Sequence, residues 1–262
     1  MIAVLLPIVV IAIVFAVGFG KLSRRAANAV TASRLGFAAL AVACLVIALL
    51  SPLDRLADDS FTAHMVQHMV LVMLAAPALL LADPFPAVLW ALPESWRRRL
   101  RRRLTRESTA GRLWAIATAM LLTWPLYTAV LWLWHLPAAY DAALAHRWLH
   151  DFEHVSFFAA AVLFWSPVIR PAPRFRPAAP PALRIAYLLL AAFQTAALGL
   201  VLTLAPTTLY RSYRALDDQA SGGIVMWALG GLIDMLAVLL VLYRSFGPGA
   251  RRVPRDRILY SP

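Results

Sequence analysis

HRWLHDFEHVSFFAAAVLFW, residues 146–165, decides how the rest of the chain is read. Its first nine residues hold three histidines, one Asp and one Glu, and the next eleven hold a single polar residue, Ser156. His146, His150 and His154 are four residues apart, so on a helix they share one face. A run of about 20 apolar residues is what a helix needs to cross a bilayer. The segment therefore reads as a membrane helix with imidazoles at its mouth.

The rest of the chain agrees that much of its solvent is lipid. Of 262 residues, 62% are hydrophobic and 15% charged, where a soluble domain carries about 25% charged residues. Mean hydropathy is +0.73. Seven segments have the length and composition of spans: about 2–20, 34–51, 61–82, 113–135, 150–169, 183–205 and 223–243. No stretch between them can build a water-soluble core, so the expected fold is all-α, one polytopic domain of seven transmembrane helices over residues 1–262. The first apolar run has no basic residue ahead of it and is followed by Lys21, Arg24 and Arg25. It reads as a span rather than a cleaved signal peptide.

Charge sets the expected orientation. The connections 21–34, 82–113 and 170–184 and the tail from 244 hold 21 of the 25 Lys and Arg. The alternate connections hold only Arg55, Arg147, Arg211 and Arg214. Basic loops stay cytoplasmic, which predicts the N-terminus outside and the C-terminus inside. The formal charge of +12 is then a topology signal, and nucleic acid is not an expected partner. WRRRLRRRLTR (96–106), with Leu100 and Leu104 one turn apart, reads as a short amphipathic helix on anionic lipid. PAPRFRPAAPP (171–181) reads as an extended connector. The single cysteine, Cys44, lies in an apolar run and reads as packing.

With that orientation all six histidines fall at the outer end. His64 and His68 open the third span, His135 closes the fourth, and His146, His150 and His154 lead into the fifth. Two imidazole pairs at i,i+4, at one depth on two spans, suit metal or cofactor ligation, whereas an isolated interfacial His would serve as an anchor or cap. Met65 and Met69 follow His64 and His68, and Met73 lies one turn deeper. Nitrogen with thioether neighbours favours a soft ion such as Cu(I), although a Met stripe alone fits core packing better. Asp151, Glu153, Asp217 and Asp218 are placed to orient imidazoles as outer acceptors. Gln194 and Asp234 lie deep in the sixth and seventh spans. The expected role of Asp234 is structural: a protonated carboxyl hydrogen-bonded to Gln194 or a backbone carbonyl, beside Gly222, Gly223, Gly230 and Gly231, which permit close helix approach.

Three blocks carry a family resemblance: HMVQHMVLVMLAAPALLLADP (64–84), WLWHLPAAYDAALAHRWLHDFEHVSFFAAAVLFW (132–165) and LYRSYRALDDQASGGIVMWALGG (209–231). In order, and with seven spans, they resemble the membrane-integral CtaG family of cytochrome c oxidase assembly proteins. The resemblance implies a bacterial cytoplasmic-membrane factor that helps assemble an active haem-copper oxidase by handling copper on the outer face. Oxidase subunits and a periplasmic copper donor are the implied partners. The matching positions are His64, His68 and Met69, then His135, His146, His150, Glu153 and His154, then Asp218, Gln219 and Met226.

Such a role is not enzymatic. Two readings of the same histidines compete with it. One is a cytochrome holding haem between helices, for example through His68 and His154. The other is a zinc-dependent membrane hydrolase with Glu153 or Asp218 as base. A purely structural assembly factor would need no metal.

Overall fold

The computed structural model describes residues 2–247; the basic tail with Arg251, Arg252, Arg255 and Arg257 lies outside the described residues. Among the described residues thirteen α-helices succeed one another: α1 (Ile2–Arg25), α2 (Ala32–Leu50), α3 (Pro52–Asp59), α4 (Phe61–Met69), α5 (Ala76–Leu81), α6 (Pro84–Ala91), α7 (Glu94–Arg103), α8 (Thr109–Ala117), α9 (Met120–Trp134), α10 (Pro137–Ala145), α11 (Arg147–Ile169), α12 (Pro181–Leu204) and α13 (Leu216–Phe246). No strand forms among the described residues. Six stretches are long and apolar enough to cross a membrane, Leu5–Arg25, Ala32–Leu50, Phe61–Leu81, Arg147–Ile169, Pro181–Leu204 and Leu216–Phe246. The bent pair α8 and α9 supplies a seventh if it is one span.

The fourth expected span is therefore broken. Its halves meet at 54° across Thr118 and Ala119. Thr118 turns its hydroxyl back onto Trp114 O at 2.8 Å, a local bond that competes with helix continuation. The seventh helix starts seven residues earlier than expected, which puts Asp217, Asp218 and Gln219 on its first turns. The amphipathic helix expected at the Arg-rich run forms as α7, and Arg97 lies 4.4 Å over the Trp90 ring.

The surface is apolar and the interior polar in places, as lipid requires. Leu121, Phe193, Leu204 and Phe246 are each more than 70% exposed. The buried set instead includes His64, His68, Gln67, Glu153, Gln219 and Asp234. In hydrocarbon every backbone group must be paired within the protein, which explains helices throughout.

Glycine sets a close seam between α12 and α13. A Cβ on Gly199 would stand 2.8 Å from Gly223 O, and one on Gly223 would stand 2.6 Å from Gly199 O. Only glycine at both positions lets the backbones approach so closely. Gly222 likewise receives the Phe61 ring. Gly231, expected in the same role, faces open space.

The span Phe61–Leu81 is not a uniform α-helix. Val70–Ala75 forms a π-turn between α4 and α5. Pro77 has no N–H to donate to the preceding turn, which loosens the ladder there. The Val72 carbonyl instead accepts from Trp165 Nε1 of α11 at 3.1 Å. That bond locks the middle of this span against α11, with the histidines one end away.

Candidate metal centre

Two caps set the height of α4. Ser60 Oγ accepts from Ala63 N at 3.3 Å, capping the helix from its own chain. Asp218 of α13 accepts from Phe61 N at 2.7 Å, Thr62 N at 3.1 Å and Ser60 Oγ at 2.9 Å. A carboxylate among first-turn N–H groups is the favourable charge for a helix N-terminus. Asp218 therefore positions the helix that bears His64 and His68. It orients no imidazole directly.

From α4, His64 and His68 point at α11, and His150 and His154 point back. Ring centroids are 4.4 Å apart for His64 and His68, 4.3 Å for His150 and His154, 5.2 Å for His64 and His150, and 5.3 Å for His68 and His154. All four rings are at most 5% exposed. One donor atom from each of His64, His68 and His154 lies within 4.8 Å of the other two, and so do those of His64, His150 and Glu153. His64 belongs to both sets.

The finest detail is between His64 and His68, whose Nε2 atoms are 3.0 Å apart. Tyr213 donates its hydroxyl proton to Ala57 O, so its oxygen can only accept from His64 Nδ1, 3.0 Å away. The Nδ1 proton leaves His64 Nε2 with its lone pair directed at His68. Burial raises the Tyr213 and Tyr210 hydroxyls above their ordinary range, so both stay neutral donors. A tetrahedral ion with bonds of about 2.0–2.1 Å holds its nitrogens about 3.3–3.4 Å apart. The observed spacing fits two ligands of one ion after a small adjustment.

The cluster is short of partners. His68 Nδ1, His150 Nε2, His154 Nε2 and both Glu153 carboxylate oxygens are buried with no hydrogen bond. Glu153 Oε1 stands 3.9 Å from His68 Nε2. Each unpaired buried polar group costs about 1–3 kcal/mol. An ion drawing on these atoms removes that penalty, so nitrogen and carboxylate donors fit a transition-metal ion. A cleft lined by Asp58, Asp141, Arg147, Ser212 and His150 leads from the surface to this cluster.

Other expected residues fall elsewhere. His135 caps α9, with Nδ1 donating to Leu131 O at 2.7 Å and Nε2 unpartnered; it borders Tyr140 and Phe157 but belongs to neither ligand set. His146 is the exposed N-cap of α11, outside both sets. Met69 reaches α13 at Gly230, and Met226 is fully buried on α13. Gln219 accepts from Leu209 N at 2.6 Å and donates to Leu202 O at 3.2 Å, clamping the 205–215 loop. Asp217 is exposed. Asp151 pairs with Arg147 at 3.4 Å.

The expected Gln194–Asp234 bond does not form. Gln194 accepts from Trp132 Nε1 at 2.8 Å and donates to Thr195 Oγ1 at 3.0 Å, joining α12 to α9. Asp234 keeps both oxygens unpartnered at 1% exposure. The tyrosines were not anticipated. Tyr140, Tyr210 and Tyr213 pack around Phe61 and His64. The signal was present in LYRSYR (209–214), where Tyr210 and Tyr213 are each followed by an Arg.

Residues 13–247 match the model of the family described as cytochrome c oxidase caa3 assembly factor (Caa3_CtaG). Two uncharacterized proteins, one of Mycobacterium bovis and one of Mycobacterium tuberculosis, are each 28% identical over 257 residues, covering 94% of this chain. The chain spans 38% of the length of these relatives. No solved structure matches it significantly.

Proposed function

We propose, on the premise that this chain belongs to the cytochrome c oxidase caa3 assembly factor family, that it holds copper between α4 and α11 and passes it to a haem-copper oxidase. The observation that carries this reading is the convergence of His64, His68, His150 and His154 from two spans, with unpartnered nitrogens and a bare Glu153 among them.

Copper is cargo in this scheme, and the protein's work is to bind, shelter and release it. Outer cleft residues admit the ion at His150, the ligand nearest the surface. His64, common to both ligand sets, lets the ion shift between them without leaving the site. A transfer site needs exchangeable ligands rather than a closed cage, and neutral imidazoles can be displaced one at a time. The role is non-catalytic. The site end faces outward from a bacterial cytoplasmic membrane, with an extracytoplasmic copper donor and oxidase subunits as partners and anionic lipid under α7.

The test is copper bound to detergent-purified protein, wild type beside a His64→Ala/His68→Ala double variant, with oxidase activity measured in cells carrying each. Loss of both copper and oxidase activity in a protein that still inserts supports the reading. Equal copper in the two proteins overturns it. A Soret band in the purified protein would move the assignment to haem. Three imidazoles beside Glu153 also suit a zinc-bound water, and chelator-sensitive hydrolysis would favour that second reading.

A further inference from the structure

Arg147 is the first residue of α11, three residues ahead of His150, and the site described above gives it nothing to do. The N-terminus of a helix is the unfavourable end for a cation, since its free N–H groups already carry positive charge. Two carboxylates hold it there nonetheless. Arg147 Nη2 meets Asp54 Oδ2 at 3.5 Å, and Nε meets Asp151 Oδ1 at 3.4 Å. Asp54 is anchored in turn: its Oδ1 accepts from Gln67 Nε2 at 3.0 Å, and Gln67 is fully buried beside His68 in the chain. The guanidinium is thus strung between α3 and the first turn of α11.

Arg147 and His150 line the same cleft, the one that leads to the imidazoles. The other charged residues on its wall are Asp58 and Asp141. Asp141 is already engaged, because its oxygens accept from Arg211 N at 3.3 Å and from Ser212 N and Oγ at 3.2 and 3.0 Å. Among the described residues, Arg147 is therefore the one Lys or Arg on the cleft wall. Its charge is felt at both His150 and His154. The Arg147 side chain is 58% exposed and both of its ion pairs are long. Such pairs are weak, so the arm is held loosely enough to swing aside.

We infer that Arg147 is a charge filter on the cleft, a specificity-determining residue that favours monovalent over divalent ions on their way to the imidazoles. The inference rests on the copper reading of that cluster and adds what biases it toward Cu(I). Neutral nitrogens and a carboxylate also suit Zn(II), so the ligands alone discriminate poorly. The repulsion between a fixed charge and a passing ion is proportional to the charge of the ion. Whatever factor Arg147 takes off the entry rate of a monovalent ion, it takes the square of that factor off a divalent one. A guanidinium stays protonated and has no lone pair to offer, so it filters without becoming a ligand.

The experiment follows metal uptake by detergent-purified full chain at low salt, with the Cu(I)–acetonitrile complex and Zn(II) sulfate as probes. Wild type, Arg147→Gln and Arg147→Lys are compared, and only the uptake that disappears in His64→Ala/His68→Ala is counted. Arg147 is exposed, so neither change removes packing. Arg147→Gln is expected to raise the Cu(I) rate about fivefold and the Zn(II) rate about 25-fold. Both gains should shrink as added salt screens the charge. Arg147→Lys keeps the charge and is expected to match wild type. Equal gains for the two ions, gains indifferent to salt, or a Lys variant as fast as Gln would mean a widened mouth rather than a removed charge, and each overturns the inference. Zn(II) that stays excluded from Arg147→Gln overturns it as well. Wild-type rates in both variants overturn it too and leave the imidazole site standing. Uptake that does not depend on His64 and His68 in any of the proteins overturns the copper reading and the filter with it.

Discussion

Asp83 and Glu153 are both buried acids at helix ends, one at each end of the bundle, and their surroundings are opposite. Asp83 receives Arg34 Nη2 at 2.8 Å on one oxygen and Ala172 N at 2.8 Å on the other. The knot it makes ties α2 to the loop after α11, and nothing in it is left over. Glu153 is 1% exposed with neither oxygen bonded, among imidazole nitrogens that are also unbonded. Burial alone therefore says little about role. A buried polar group that the fold satisfies is holding the structure together, and a cluster the fold leaves unsatisfied is prepared for something that is not the fold.

The largest effect should come from the unsatisfied end. Replacing His64 and His68 together by Ala should lower copper affinity by more than about 100-fold, since each removed ligand forfeits several kcal/mol of metal binding. Equilibrium dialysis against a Cu(I) chelator measures this. Acidification comes next. Imidazole ligates only when neutral, so copper affinity should fall as the medium is acidified. Affinity that does not change with pH would remove histidine from the binding site. Tyr213→Phe removes the oxygen that receives His64 Nδ1–H, and loss of such an outer partner typically costs about 10–100-fold in affinity.

At the satisfied end the readout should switch from copper to stability. Asp83→Asn breaks the contact with Arg34 and should cost about 1–3 kcal/mol, seen as a lower melting midpoint, with copper affinity unchanged. A change in copper binding there would blur the distinction between the two ends. The smallest effect is predicted for His146→Ala. This residue is exposed and outside both ligand sets, so copper content should match wild type. A marked loss would enlarge the site to include the α11 cap.

Some of the site was legible before the fold was known. His64 and His68, and His150 and His154, were readable as pairs because a helix repeats a face every four residues, whatever it packs against. The same rule would have added His146 only if the helix extended back to it, and the helix begins at Arg147 with His146 as its exposed cap. Asp218 and Gln219 lay close in sequence to residues of interest, yet the structure spends them on backbone: one caps α4 and the other clamps a loop. The imidazole partner is Tyr213 instead, 149 residues from His64. No local pattern announces a hydrogen bond across that separation.

The break in the fourth span was equally invisible to hydropathy. Residues 113–135 are apolar enough to pass as one helix, and only backbone geometry places a 54° bend at Thr118 and Ala119. For Asp234, composition marked a costly carboxyl but implied a partner in Gln194 or a backbone carbonyl, and neither pairs with it. The neighbouring Trp132 takes that amide from another helix.

The sequence by itself determined the helical, membrane-spanning class, the positions of the apolar runs and the facing imidazole pairs. Each follows from short-range periodicity or from the length of chain a bilayer demands. Tertiary structure alone decided which polar groups were satisfied and which were left bare, since a hydrogen-bond partner on another helix is set by packing. That accounting separates Asp83 from Glu153 and Asp234, three carboxylates that local sequence cannot rank.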